Sequence, residues 1–170
     1  MAKVDSMDRI TLFDADVLKE IDYSKGDCKM NQYGLSCESP GEDLRLRPLA
    51  SDDYDKERFN AMRDHHGTYY IIVVENTKAD KILASGSLIV EQKFIHEIAL
   101  RGRIEDIVVD DSCRGRRIGQ LIVETLLLLS EKLGCYKTSL ECRDPLLGFY
   151  KKFGFQEEKD QNHLIKRFFH

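Results

Sequence analysis

A basic run broken by glycine is the part of the sequence with the clearest chemistry. It reads Arg114-Gly115-Arg116-Arg117-Ile118-Gly119 and lies between a β-branched run that ends at Val109 and a helical pattern that begins at Ile118. The first turn of a helix has N–H groups without intrahelical acceptors and the positive end of the helix dipole. Glycine lets a ligand approach the backbone, and arginine adds charge-assisted hydrogen bonds. The spacing therefore predicts a site for an anion such as a pyrophosphate.

This loop differs from two widespread phosphate-binding loops. The Gly-Lys-Ser/Thr ending of a Walker loop is missing, and a dinucleotide-binding fingerprint needs three spaced glycines after the first strand. Residues 114–119 alone also fit a basic surface turn that binds nothing. Residues elsewhere in the chain have to decide between the two interpretations.

The elements that would position this loop follow from hydrophobic periodicity and turn residues. The strands are predicted at 43–49, 69–75, 82–91, 103–109, 136–142 and 163–169, and the helices at 51–63, 118–133 and 145–153. The order is β-α-β-β-β-α-β-α-β. The hairpin of 69–91 is antiparallel, whereas the alternating C-terminal half implies parallel pairing. We therefore expect an α/β fold with a mixed central sheet and helices on both faces.

The chain divides into an N-terminal arm and one domain. Residues 1–42 are polar and are broken by Gly26, Gly34, Pro40 and Gly41, so we expect a partly ordered arm with a short helix within 13–21. Residues 43–170 then form a single domain, which a chain of 170 residues can fold around its own core.

Composition excludes several classes of protein. The net charge of −4 does not favour nucleic acid, and the apolar stretch 121–133 is too short and too charged to span a membrane. The N-terminus has no continuous apolar run typical of a signal peptide. The five cysteines are odd in number and show no Cys-x-x-Cys spacing. We therefore expect reduced thiols, a cytoplasmic location and no metal site.

The basic loop resembles the acetyl-CoA loop of the GNAT superfamily, whose pattern is Arg/Gln-x-x-Gly-x-Gly/Ala. Arg114 and Gly119 match the first and last positions, and Arg117 stands where the middle glycine is usual. The phosphate contact there is made by a backbone N–H, so we expect Arg117 in ordinary helical φ/ψ. The resemblance implies a GNAT fold with acetyl-CoA as cosubstrate, bound by Ile107, Val108, Val109, Arg114, Gly115, Arg116, Arg117, Ile118, Gly119 and Tyr150.

Longer motifs narrow the resemblance. Among them are Leu46-Arg47-Pro48-Leu49, Arg101-Gly102-Arg103-Ile104-Glu105-Asp106-Ile107 and Gly148-Phe149-Tyr150-Lys151-Lys152-Phe153-Gly154-Phe155. Over most of 40–169 the chain resembles the eukaryotic glucosamine 6-phosphate N-acetyltransferase family. This resemblance implies direct acetyl transfer, in a ternary complex, to the 2-amine of glucosamine 6-phosphate. The product feeds UDP-N-acetylglucosamine synthesis.

The resemblance also implies catalytic roles. Glu141 would orient the amine and take its proton, and Tyr150 would protonate the departing thiolate of CoA. A β-bulge near Glu105-Asp106-Ile107 would turn a backbone N–H toward the thioester oxygen. The alternatives are a surface carboxylate at 141, a core aromatic residue at 150 and a solvated strand end at 105–107.

A phosphorylated sugar requires cations for the phosphate and acceptors for the hydroxyl groups. The resemblance implies a sugar site made of Lys93, Phe94, Ile95, His96, Glu105, Asp106, Tyr136, Lys137, Glu141 and Arg167. The candidate cations are Lys93, His96, Lys137 and Arg167, any of which could be an ordinary surface charge. In this family the site is built across a homodimer interface, so some of these residues would act on the partner's substrate.

Two departures from the family leave other functions open. Leu146 replaces an asparagine that contacts the CoA arm, and the connection around 55–59 is about twenty residues shorter than usual. A shorter connection implies a more open acceptor site or a missing mobile segment. Alternative functions are acetylation of another amine, such as a peptide or polyamine, and a non-catalytic CoA-binding regulatory domain.

Overall fold

One mixed sheet of five strands forms the centre of the protein. The structure is a computed structural model and describes residues 9–160 and 162–168. The strands are β1 (Leu44–Pro48), β2 (Tyr69–Asn76), β3 (Lys81–Gln92), β4 (Leu100–Val109) and β5 (Cys135–Leu140), in that order across the sheet. Neighbours from β1 to β4 are antiparallel, and β5 joins β4 in parallel. The expected mixed α/β sheet is confirmed.

The helices are unequal in length. They are α1 (Asp16–Lys19), α2 (Lys56–Arg63), α3 (Ile95–Ile98), α4 (Ile118–Lys132) and α5 (Leu147–Tyr150). The side chain of Asp55 accepts a hydrogen bond from the Arg58 N–H, so α2 begins after Asp55 and not at Ser51 as predicted. Within the described ranges, no helix is long and apolar enough to cross a membrane.

Helix α4 forms the crossover that parallel pairing of β4 and β5 requires. It packs on β3, β4 and β5 through buried side chains that include Leu121, Ile122 and Leu126. A Cβ at Gly86 of β3 would lie 2.6 Å from the Ile122 side chain, so glycine allows the close approach of helix and sheet. This packing therefore fixes the distance between α4 and the sheet strands that it connects.

The opposite face of the sheet is less completely covered. Arg47 of β1 reaches Asp53 at 2.7 Å and Glu75 at 2.5 Å, and this buried ion-pair cluster lies beside the segment that leads into α2. Farther across the same face, Arg103 of β4 pairs with Ile89 of β3, and both side chains are half-buried. This part of the face is accessible to solvent.

The C-terminal elements differ from the prediction. Residues 163–168, expected as the closing strand, form no ladder with the sheet and are exposed, and Phe169 lies outside the described residues. Alternating polarity indicates that a segment can pair as a strand, but it does not show which edge of the sheet the segment joins. Strand β5 ends at Leu140, two residues earlier than predicted, and the predicted helix at 145–153 is a series of short helical turns.

The described part of the N-terminal arm packs against α4. Tyr23 and Met30 belong to the main core, and the Tyr23 hydroxyl lies 2.7 Å from Thr125 Oγ1. Glu124 is only 1% exposed, and its carboxylate accepts hydrogen bonds from the N–H groups of Cys28 (2.6 Å) and Met30 (3.0 Å). The division into an arm at 1–42 and a domain at 43–170 stays a prediction.

We predict that Glu124→Gln loosens this attachment. A carboxamide has one accepting oxygen, so its NH2 group would face a backbone donor in a buried site. The free energy of unfolding should fall by about 1–3 kcal/mol in chemical denaturation. Amide hydrogen exchange at Cys28 and Met30 should accelerate. Glu131→Gln, on the exposed side of the same helix, is the control, and equal losses in both variants would contradict the prediction.

Candidate active site

Strand β5 ends well before its neighbour β4 does. Their pairing ends at Ile104 and Leu140, while β4 continues to Val109 with β3 as its one neighbour in the sheet. A cavity of about 540 Å³ opens at this point. It is lined by Ile104, Glu105, Asp106, Ile107, Leu140, Glu141, Cys142, Arg143, Leu146, Tyr150, His163 and Ile165. The opening gives a ligand access to polar groups from both strands.

A β-bulge shapes the β4 side of the cavity. Ser85 pairs with Val108 and Ser87 with Glu105, so Gly86 alone faces Asp106 and Ile107. Asp106 has φ +53°, a left-handed backbone conformation that residues other than Gly, Asn and Asp rarely adopt. The bulge expected at 105–107 is confirmed. It interrupts the ladder and re-aims the backbone where β4 has lost β5 as a partner.

Glu141 stands at the other side of the opening. It follows the last residue of β5, and its side chain is about half exposed (49%). Its Oε1 lies 2.9 Å from His163 Nδ1 and 3.3 Å from Arg103 Nη2. Glu105 and Asp106 line the same cavity. The cavity is therefore rich in carboxylates, which suits a ligand that carries an amine and hydroxyl groups.

Tyr150 lines the cavity and is also a core residue. Its ring packs at right angles to those of Phe149 and Phe155, with centroids 5.1 Å and 6.1 Å away. Burial, with a smaller contribution from Cys142, raises the pKa of the Tyr150 phenol above its ordinary value. The phenol therefore stays protonated at neutral pH and is in the state that a proton donor needs.

The basic loop lies at the end of β4 that continues past the opening. Hydrogen bonds from Lys81 and Ser112 hold the pKa of Asp110 well below its ordinary value, so the turn after β4 is anchored by a permanent carboxylate. At the start of α4 the Leu121 N–H donates to the Arg117 carbonyl at 2.9 Å. The three N–H groups before it, those of 118–120, therefore have no helical acceptor and can bind an anion.

The predicted sugar site is only partly assembled in one chain. Glu105, Asp106 and Glu141 lie together, and Lys137 lines an adjoining cavity of about 410 Å³ with Glu141. The segment Lys93–His96 precedes β4 in the chain. At the ordinary rise of a strand, the start of β4 lies roughly 15 Å from Glu105. Elsewhere in that group, the rings of His96 and Tyr136 are 4.8 Å apart, Phe94 and Ile95 are exposed, and Arg167 lies in the exposed segment 162–168.

Sequence reasoning missed four polar residues of the site. Arg103 bonds to Glu141, and Cys142, Arg143 and His163 line the cavity. Arg103 lies two residues before Glu105, and alternation along a strand places the two side chains on one face of the sheet. This spacing could have indicated that Arg103 lies near the site. Nothing in the local pattern around His163 indicates contact with Glu141, since they are distant in sequence and His163 follows no regular element.

Comparison with known proteins agrees with this geometry. Residues 36–155 match the profile of the acetyltransferase (GNAT) family. The chain is 37% identical, over 85% of its length and 75% of the relative, to a probable glucosamine 6-phosphate N-acetyltransferase of Drosophila melanogaster. It is also 37% identical, over 68% of its length and 86% of the relative, to glucosamine 6-phosphate N-acetyltransferase 1 of Dictyostelium discoideum.

A solved structure agrees as well. Glucosamine-6-phosphate N-acetyltransferase of Arabidopsis thaliana superposes with a TM-score of 0.64 and 28% identity, covering 76% of this chain and 100% of that one. The chain belongs to the acetyltransferase (GNAT) family. Acetyltransferases of this family use acetyl-CoA.

The loop at 114–119 departs from expectation at Arg117. We expected ordinary helical angles, but Arg117 has φ +60° and ψ +17°, so that expectation is wrong. The turn into α4 requires a left-handed residue, which is why glycine is usual at this position in the pattern. The guanidinium of Arg117 lies 3.9 Å from the ring centre of Tyr33, and its Nη1 donates to Gln120 at 3.1 Å. These contacts offset part of the backbone strain.

Three other positions of the loop at 114–119 differ in their contacts. Arg114 is exposed beside Asp111, and Arg116 donates to the Glu42 carbonyl at 3.2 Å. A Cβ at Gly119 would meet nothing closer than the Val109 side chain at 3.6 Å, an ordinary contact. Packing within the chain therefore does not require glycine at 119.

We predict that Arg117→Gly is more stable than Arg117→Ala by about 1 kcal/mol. Both variants lose the contacts with Tyr33 and Gln120, but only glycine relieves the left-handed strain. Urea unfolding of the two proteins measures the difference. The same pair of substitutions at Arg116, which has no positive φ, should show the opposite order. If alanine equals or exceeds glycine at 117, the strain assigned to this residue is absent.

Proposed function

We propose that this chain transfers the acetyl group of acetyl-CoA to the 2-amine of D-glucosamine 6-phosphate, giving N-acetylglucosamine 6-phosphate and CoA. The reaction would supply UDP-N-acetylglucosamine synthesis in the cytoplasm. One observation carries the proposal: identity of 37% to a probable enzyme of this activity extends over 85% of the chain. The five free cysteines are consistent with a reducing compartment.

Acetyl-CoA fits the end of β4 and the start of α4. The N–H groups of 118–120 would bind the pyrophosphate, and the exposed side chains of Arg114, Arg116 and Arg117 would add positive charge around it. Val108 is exposed on the unpaired edge of β4, so the backbone of 107–109 can bind the extended arm of CoA as a neighbouring strand would. Tyr150 then lies at the thioester end, in the wall of the opening.

The opening between β4 and β5 supports direct attack in a ternary complex. Glu141 would accept a proton from the sugar amine as the amine nitrogen forms its bond to the acetyl carbon. The N–H near Ile107, displaced by the bulge, would stabilise the oxyanion of the tetrahedral intermediate. As the carbon–sulfur bond breaks, the buried Tyr150 phenol would donate a proton to the thiolate. Each step uses a group that lines one cavity.

A homodimer would complete the sugar site. Of the candidate phosphate cations, Lys137 lines a cavity with Glu141, whereas Lys93 and His96 precede β4 at the far end of that strand, so one chain brings only part of the set to Glu141. Phe94 is 97% exposed, and Ile95 and Ile98 beside it are also exposed. Such a cluster of apolar side chains is typical of an interaction site. We propose that a second copy covers it and exchanges phosphate-binding residues with the first.

An acceptor with several amines is the second candidate. The carboxylates of Glu105, Asp106 and Glu141 make the cavity of one chain acidic, which favours a polyamine or a basic peptide. A non-catalytic CoA-binding domain has less support, because Glu141 and Tyr150 both line the opening and neither points away from it. The described ranges contain no group of three or more His, Cys, Asp or Glu arranged to hold a metal ion.

We predict that glucosamine 6-phosphate is the best of four acceptors. Release of CoA thiol from acetyl-CoA should be followed with glucosamine 6-phosphate, glucosamine, spermidine and a basic peptide. The phosphate provides charge-assisted hydrogen bonds that glucosamine lacks, so kcat/KM should be at least about tenfold higher for the phosphorylated sugar. Equal rates with the two sugars, or a faster reaction with spermidine or the peptide, would overturn the proposed acceptor.

We predict that Glu141→Gln lowers turnover and leaves acetyl-CoA affinity nearly unchanged. The amide keeps the size of the side chain but cannot take the amine proton, so kcat should fall by about 100-fold or more. The Kd for CoA, measured by calorimetry, should change by less than about twofold, because Glu141 lines the opening and no residue of the basic loop at 114–119 does. Glu131→Gln, on the exposed end of α4, is the matched control. Parallel losses of turnover and CoA affinity would exclude the base role.

A further inference from the structure

We propose that Arg103 is a positioning residue that holds Glu141 for acetyl transfer. This inference rests on the proposed function. Arg103 Nε lies 2.6 Å from Glu105 Oε1, and Arg103 Nη2 lies 3.3 Å from Glu141 Oε1. A single guanidinium therefore bridges the two sides of the opening, from a carboxylate on β4 to one that follows β5.

The backbone of Arg103 is better fixed than that of Glu141. Arg103 pairs with Ile89 on one side and with Ser139 on the other, in the middle of the sheet. Glu141 lies beyond the ladder, and its side chain is half exposed. A glutamate in that position loses side-chain entropy when it is held in one rotamer, so it needs a fixed partner to stay aimed at a substrate. The planar fork of arginine provides such a partner from the sheet.

Charge in the cavity gives Arg103 a second effect. Glu105, Asp106 and Glu141 all line the opening, and the guanidinium contacts two of them directly. It thereby offsets the repulsion that would push Glu141 away from Glu105. The other contact of Glu141, His163 Nδ1 at 2.9 Å, comes from the exposed segment 162–168 and not from the sheet. Arg103 is therefore the residue that links Glu141 to β4, the strand that carries the bulge.

A double-mutant cycle with Glu141→Gln tests this role. Arg103→Met should lower kcat with glucosamine 6-phosphate by about tenfold to hundredfold, while KM for acetyl-CoA changes by less than about twofold. Arg103→Lys keeps a charge that reaches one carboxylate at a time and should restore part of the loss. In the Glu141→Gln background, Arg103→Met should cost less than about threefold, because the group that it positions is already inactive.

Stability and matched controls separate positioning from folding. Arg45→Met removes another strand arginine with an ion pair, at the far edge of the sheet, and should leave kcat unchanged. The melting temperatures of Arg103→Met and Arg103→Lys, measured by thermal unfolding, should lie within a few degrees of each other. A loss that follows the melting temperature, and that lysine does not restore, would show a structural role and overturn the proposal.

The remaining outcomes also decide the question. Unchanged kcat in Arg103→Met, or equal losses in the presence and absence of Glu141, would refute positioning while leaving the acetyltransferase function intact. No turnover of glucosamine 6-phosphate by the unaltered chain would overturn the proposed function, and the role of Arg103 with it. A strong coupling to Glu141 together with an unchanged KM for acetyl-CoA would support the assignment.

Discussion

The separation of β4 and β5 is the constraint on which the rest of the site depends. If β5 continued beside β4 as far as Val109, it would leave no room for a ligand at this edge. Here pairing stops at Ile104 and Leu140, and directly afterwards a bulge opposite Gly86 places Asp106 in a left-handed conformation. The polar groups that the ladder no longer satisfies become available for binding. Glycine at 86 also lets α4 approach the sheet, so one residue serves both packing and the opening.

The loop at the start of α4 depends on the N-terminal segment as well as on β4. Tyr33 stacks on Arg117, and the carbonyl of Glu42 accepts a hydrogen bond from Arg116. The same segment is tied to the middle of α4 through the buried carboxylate of Glu124. A segment that reads as a polar arm in sequence therefore supports two arginines beside the anion site. Its attachment to α4 and the geometry of the loop are physically linked.

The sequence was sufficient for elements whose local preference agrees with their packing. The β-branched run of β2 and the long apolar helix α4 formed within one residue of prediction, and Gly134 has the left-handed angles of a helix C-cap. Local patterns failed where a partner distant in sequence decides the outcome. Residues 163–168 alternate like a strand but pair with no edge in the described chain, and the angles of Arg117 follow from a turn that composition does not reveal.

The candidate site shows the same division between local and distant determinants. The bulge at 105–107 and the role of Glu141 were both implied by the family resemblance. The contact between Arg103 and Glu141 depends on the register of β4 against β5, which aligns Arg103 with Ser139 two residues before Glu141. Register is a property of the folded sheet, because a shift by one residue would turn Arg103 to the opposite face. The partner of the candidate base is therefore set by strand pairing, and the identity of the base alone could not reveal it.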